Sequence, residues 1–429
     1  MKVSPTRLRS AMLGRLLWLC VFCQVIHPAP FTALASGITS TADLQVQEAL
    51  DLMEQKEFNR ATKLLLEIQS RIQNPDQVAK LLAFAYLGKG YQSLSSADFP
   101  AAREAFQEGR QYNHEDVRFW QGEAMAWYRQ GRYAESASLL EQAIGIAPQN
   151  TEIYHQLGQS YYADGRMVEA LDALARAREL GGGADVDALL AKARNEWQVE
   201  QGMEQEVRGH FQLSFVDGDQ MASLAPEILE TLEDAYAVLG AELSFYPDIK
   251  VPVLLYTKKD FSAVTNSPDW AGAVYDGKIR LPLGGMIGMT DQLEALLYHE
   301  YAHVLVHLLA NRNAPVWLNE GLAEMAGRRF FSPPMQHLQL AVADGRLLDW
   351  DELARPFSGL TGDKVMLAYE QSCSLVDYLV DSFGWHKIAE LLERLGKHQQ
   401  WQSAIADVYL DYGLDWPAIL AEWGGNLKR

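Results

Sequence analysis

The sequence predicts an α + α/β chain: an N-terminal α-solenoid of paired helices, then a domain with a small mixed sheet, an active-site helix and a helical C-terminal half. Three observations carry that expectation. Helical segments recur with a 34-residue period before about residue 180. Beyond about residue 205, short runs of β-branched and aromatic residues take over. A histidine pair, His299 and His303, then falls in the middle of a long apolar helix.

Residues 1–35 contain Lys2, Arg7, Arg9 and Arg15, no acid, an apolar run over 16–26, and Ala33-Leu34-Ala35 as a small-x-small site. That order is that of a cleavable signal peptide, which predicts an exported protein, periplasmic or extracellular. The apolar run is 11 residues, short of the roughly 20 that span a bilayer. No stable membrane span is therefore expected after cleavage, and an uncleaved N-terminal anchor is the alternative.

Residues 43–180 form the expected solenoid. Moving back 34 residues, Gly165 answers Gly131, Glu169 answers Glu135, Leu174 answers Leu140 and Ala177 answers Ala143; another step reaches Ala97, Ala101, Phe106 and Gly109. Paired helices at this spacing, with small residues where they cross, are the tetratricopeptide signature. The copies at 81–114 and 44–75 are degenerate. Such an array buries its faces only against its neighbours and leaves a concave surface, so the expected partner is a protein or peptide. Gly181-Gly182-Gly183 ends the pattern, and 181–205 reads as a capping helix and linker. A second domain is expected over 206–429, with strands at 210–216, 251–256 and 278–283 and a helix at 226–239.

The chain has 429 residues and a formal net charge of −19, which becomes −23 when a segment carrying four positive and no negative charges is removed. Nucleic acid is excluded as a partner, because phosphate binding needs Lys/Arg surface. Of three cysteines, Cys20 and Cys23 leave with the signal and Cys373 remains alone, so no internal disulfide forms. The oligomeric state is not written in the sequence.

In His299-Glu300-Tyr301-Ala302-His303 the two histidines stand at i and i+4, where a helix stacks them on one face and can point both imidazoles at one ion. Asp291 and Glu294 read as a capping box that starts this helix, and Asn313 and Pro315 as the start of the next. That next segment carries Glu320 and Glu324, again four residues apart. A catalytic zinc takes three protein ligands, and His299, His303 and Glu320 make a recurrent His2Glu set. Glu300, beside the ion, would be the general base that deprotonates a zinc-bound water. Glu324 would accept the other ring N–H of a ligand histidine. One Zn2+ per chain is the expected cofactor.

The residues His299, Glu300 and His303, followed by Trp317-Leu318-Asn319-Glu320-Gly321-Leu322-Ala323-Glu324, resemble the gluzincin metallopeptidases, the peptidase MA-like proteins. The metzincin pattern would need Gly and His where Val306 and Leu309 stand, and His307 reads as an ordinary half-buried histidine. The resemblance implies a zinc metallopeptidase, a hydrolase whose edge strand before the active helix pairs with an extended substrate; 270–275 is the candidate. It also implies an oxyanion-stabilising residue in the C-terminal half, for which Tyr369 comes first and Tyr378 second. The aminopeptidase branch has an acid where this chain has Gly272-Ala273-Val274-Tyr275, so endopeptidase action on exported proteins or peptides is expected. The rival is an exported protein-binding scaffold with a non-catalytic peptidase-like domain.

Overall fold

The computed structural model describes residues 41–427 apart from 72–74, 217–218, 266–273, 276, 284–287 and 398. The expected signal peptide and most of the segment 270–275 lie outside the described residues.

Nine helices pair in sequence along the array: α1 (Thr41–Glu54), α2 (Phe58–Ile68), α3 (Pro75–Ser95), α4 (Phe99–Tyr112), α5 (Val117–Arg129), α6 (Tyr133–Ile146), α7 (Thr151–Ala163), α8 (Met167–Glu179) and α9 (Ala184–Glu200). Small residues let them cross closely. A Cβ on Gly109 would stand 2.2 Å from a ring carbon of Phe119, so α4 and α5 could not approach as they do. The turn inside each helix pair takes a left-handed residue: Lys56, Ala97, Gly131 and Gly165. The last three keep the 34-residue spacing, but Lys56 stands 41 residues before Ala97 (97 − 56) because α3 is 21 residues long. That extension is why the first copy is hard to see at a fixed period.

The second domain is built on a five-stranded sheet of β1 (Met203–Arg208), β2 (Phe211–Val216), β3 (Val251–Tyr256), β4 (Val274–Tyr275) and β5 (Ile279–Pro282), in the order β1-β2-β3-β5-β4. β2, β3 and β5 run parallel, and the two edge strands are antiparallel to their neighbours. Parallel neighbours need crossovers. They are α10 (Asp219–Leu243) and α11 (Lys258–Thr265). The first strand, β1, begins inside the segment expected to be linker. Met203-Glu204-Gln205-Glu206-Val207-Arg208 has no apolar alternation to betray it, since as an edge strand it is mostly exposed. α10 likewise begins before Pro226 and carries that proline inside it.

The rest is helical: α12 (Asp291–Leu309), α13 (Val316–Gly327), α14 (Gln336–Asp344), α15 (Trp350–Leu353), α16 (Asp363–Phe383), α17 (Trp385–Gly396), α18 (Trp401–Val408) and α19 (Trp416–Asn426). α12 runs through the core, burying Leu293, Leu297, Tyr301, Val304 and Leu305, with Tyr301 edge-on to Phe211 of β2 at 5.4 Å. Trp317 of α13 is fully buried among Trp350, Trp401 and Trp416, at ring separations of 5.6, 5.9 and 5.5 Å.

The array and the sheet meet at a buried ionic junction. Arg280 of β5, with no exposed surface, donates to Glu196 at 2.9 Å and Glu200 at 3.1 Å, both on α9. Tyr256 donates to Glu200, Tyr162 donates to Glu196, and Lys278 lies 3.7 Å from Glu196. Further along, Gly131 faces Ile249 and Leu308, and Arg129 donates to Asn311 at 3.2 Å.

Candidate metal centre

α12 starts one residue earlier than the capping box would place it. Thr290 is the N-cap, and its hydroxyl accepts from Leu293 N at 3.2 Å. Asp291 and Glu294 sit in the first turn, where acids complement the helix dipole. Glu294 is four residues from that cap and cannot reach back as a box requires three. α13, by contrast, starts without a side-chain cap: Pro315 is its N-cap, and Asn313 donates instead to the carbonyls of Leu395 and Gln399.

α12 and α13 bring His299, His303 and Glu320 together, with one donor atom from each within 4.8 Å of the others. Nε2 of His303 is 3.1 Å from Nε2 of His299 and 3.6 Å from Oε2 of Glu320, and the third side of the triangle is 4.0 Å. Ligands at zinc distances in a tetrahedron stand about 3.3 Å apart, so the triangle is the right size for such an ion. Glu324 lies behind it, its Oε1 3.6 Å from Nδ1 of His299, on the ring nitrogen turned away from the triangle.

The charge balance also fits a cation. Burial pushes the Glu300 carboxyl up to about 7, with Glu320 adding to the rise and His303 opposing it. Burial raises Glu320 and Glu324 as well. His299 is held well below the ordinary imidazole value by burial and by His303. Three carboxyl groups, all raised, gathered around two imidazoles form a site that a divalent charge would relieve. Oε2 of Glu300 is buried with no hydrogen-bond partner among the described residues, which leaves it free to take a proton.

Gly321 makes the geometry possible. A Cβ there would come within 2.6 Å of the Ser372 carbonyl oxygen, so only glycine lets α13 lie this close to α16. Tyr369 lies on the same helix α16, three residues before Ser372. Its hydroxyl pKa is raised by burial and then by Glu320, Glu324 and Glu300, so it keeps its proton within the reach of those carboxylates. Its ring packs edge-on against Phe357 at 5.3 Å. The next two residues pin the turn: Glu370 accepts from His337 Nδ1 at 2.8 Å and Leu338 N at 2.7 Å, and Gln371 bonds the backbone of Leu348 in both directions. Tyr378, the second candidate, donates to Glu422 at 2.7 Å instead.

His307 does not join the triangle. It accepts from Arg312 and meets Tyr275 of β4 edge-on. Tyr275 lies on the edge strand of the sheet, as expected for the end of 270–275. Sequence reasoning did not find the Glu370–His337 pair or the Arg280 junction. The second had a signal: Lys278 and Arg280 in an apolar strand need buried partners, and Glu196 and Glu200 stand four apart on the preceding helix.

Family models agree with this arrangement. The peptidase MA superfamily matches residues 239–428, and two tetratricopeptide repeat families match 88–151 and 128–193. No curated protein matches the chain. Similar solved structures include the first TPR of Spaghetti (RPAP3) bound to an HSP90 peptide, at 19% identity, TM-score 0.26, over 27% of this chain and 93% of that one. A MamA double mutant matches at 16% identity and TM-score 0.27 over 34% and 78%. A Thermobaculum terrenum O-GlcNAc transferase mutant matches at 14% and 0.26 over 60% and 50%. Tetratricopeptide helices, a mixed sheet and a His/His/Glu cluster on two crossing helices thus coincide with the family matches, and the chain carries a peptidase MA superfamily domain preceded by tetratricopeptide repeats.

Proposed function

We propose that the chain is an exported zinc-dependent endopeptidase whose repeat array recruits a partner or protein substrate. The observation that carries this reading is the donor triangle of His299, His303 and Glu320 with the free, buried carboxylate oxygen of Glu300 beside it. Zinc, when bound, lowers the pKa of a water to about 7 and polarises a carbonyl. Glu300 takes the proton from the attacking water and delivers it to the leaving amine, a role suited to a carboxyl whose pKa lies near neutrality. Glu324 holds the His299 ring in the tautomer that offers Nε2 forward. Tyr369, protonated and facing the site, donates to the oxyanion. The array supplies a surface for an extended peptide or protein.

The test is the zinc content of residues 36–429 beside a Glu320→Ala variant. About one zinc per chain, absent from the variant, is the expected result and leads to assays on unfolded proteins. A metal-free wild type whose thermal stability ignores added zinc would leave the array as the working part.

A further inference from the structure

Beyond His303 the same face of α12 enters different surroundings. His299, His303 and His307 stand four residues apart, in one line, with about 6 Å of axial rise between neighbours. Nε2 of His307 accepts from Nε of Arg312 at 2.6 Å. The His307 ring meets Tyr275 of the edge strand β4 with centroids 5.3 Å apart. Arg312 follows α12 and is exposed, and Tyr128 and Tyr133, from α5 and α6 of the array, lie within its electrostatic reach. Those two rings are themselves edge-on at 5.0 Å.

No carboxylate among the described residues pairs with Arg312, although the chain has 56 acids against 37 Lys and Arg. Asp164 faces Tyr133. A second cation, Arg129, lies near enough to feel the first. Asn311 and Arg312 both adopt left-handed backbone, with φ of 47° and 62°, which non-glycine residues hold only where their surroundings demand it. The Nε edge of Arg312 is spent on His307, which leaves the two Nη groups as a planar fork of the shape that grips a carboxylate. A phenol that accepts from the guanidinium can donate its own proton to the same carboxylate.

We propose that Arg312, oriented by His307 and flanked by Tyr128 and Tyr133, binds a carboxylate of the peptide that lies along β4, clamping it between the catalytic domain and the array. This rests on the peptidase reading for the position of the scissile bond, but binding itself needs no turnover. An extended chain advances about 3.3 Å per residue, so Arg312, beyond His307 on the same side of α12, reads a group a few residues from the bond. The carboxylate is an acidic side chain or a free C-terminus.

The test uses zinc-loaded 36–429 carrying Glu300→Gln, which binds without cleaving. Its probes are fluorescent eight-residue Ala/Ser peptides with one Glu stepped through the positions, their Gln counterparts, and each with a free or amidated C-terminus. At one position, or at the free terminus, the carboxylate should tighten binding about 10- to 100-fold. Arg312→Gln should abolish that preference, and Tyr133→Phe, which keeps the ring, should reduce it several-fold. A Glu step identifies a side chain as the ligand, whereas an amidation effect identifies the terminus. Equal binding of Glu and Gln peptides with no amidation effect, no binding of any probe, or a preference that survives Arg312→Gln overturns the proposal. Absent turnover in the chain with Glu300 intact, alongside a preserved carboxylate preference, would sink the peptidase reading alone.

Discussion

Two buried clusters of ionisable groups can be compared directly. At the junction, the cations Arg280 and Lys278 face the carboxylates Glu196 and Glu200, with the hydroxyls of Tyr162 and Tyr256 closing the network. At the metal centre, Glu300, Glu320 and Glu324 surround two histidines of which one is held far below its ordinary pKa. The first cluster pairs two cations with two carboxylates, whereas the second sets three carboxyl groups against two imidazoles, of which only His303 is raised, by Glu320 and Glu300. A buried polar network that is already satisfied holds parts together, whereas one that lacks a countercharge awaits a ligand.

Variants can break that distinction. The largest expected effect is Glu300→Gln, which should lower peptide cleavage by about 10²- to 10⁴-fold while zinc content by atomic emission stays at the wild-type level. If zinc is lost too, Glu300 belongs to the ligand set and the two clusters differ less than described. Next comes Arg280→Met, which leaves buried Glu196 only Tyr162 and the more distant Lys278 and should cost about 3–5 kcal/mol in urea unfolding. Adding Glu196→Leu, which leaves Lys278 facing Glu200, should restore most of that loss, as expected of a network that balances its own charge. No such rescue should exist at the metal centre, where the missing partner is not a side chain.

Much of the site was legible because its chemistry is local. Two i, i+4 pairs on consecutive helices specify the donors, whereas Tyr369 was named only through the family resemblance. The exact start of α12 was not, since Thr290 and Asp291 are both good caps and only the backbone at Thr290 decides between them. β1 was missed because an exposed edge strand need not alternate, and the first repeat was blurred by the long α3. The Arg280 junction joins residues about 80 apart in the chain, a distance no periodicity reports.

Smaller effects sharpen the picture. Gly321→Ala forces α13 away from α16 and should destabilise by about 1–3 kcal/mol, weakening zinc binding in a competition assay with a coloured chelator; unchanged zinc affinity would mean the site tolerates the shift. Ala97→Gly, at a left-handed turn where Gly131 and Gly165 occupy the equivalent places, should stabilise the array by about 1 kcal/mol. Thermal melts followed by far-ultraviolet circular dichroism would read it.

The Arg280 junction also bears on how such a protein can be cut and recombined. Repeat arrays are often treated as interchangeable beads joined to a catalytic unit by a tether. Here severing the chain before residue 206 would strip Arg280 and Lys278 of their acids and open an apolar, charged flank of the sheet to solvent. The two halves therefore share one buried charge network: a foreign array grafted onto this domain must bring its own pair of glutamates on its last helix.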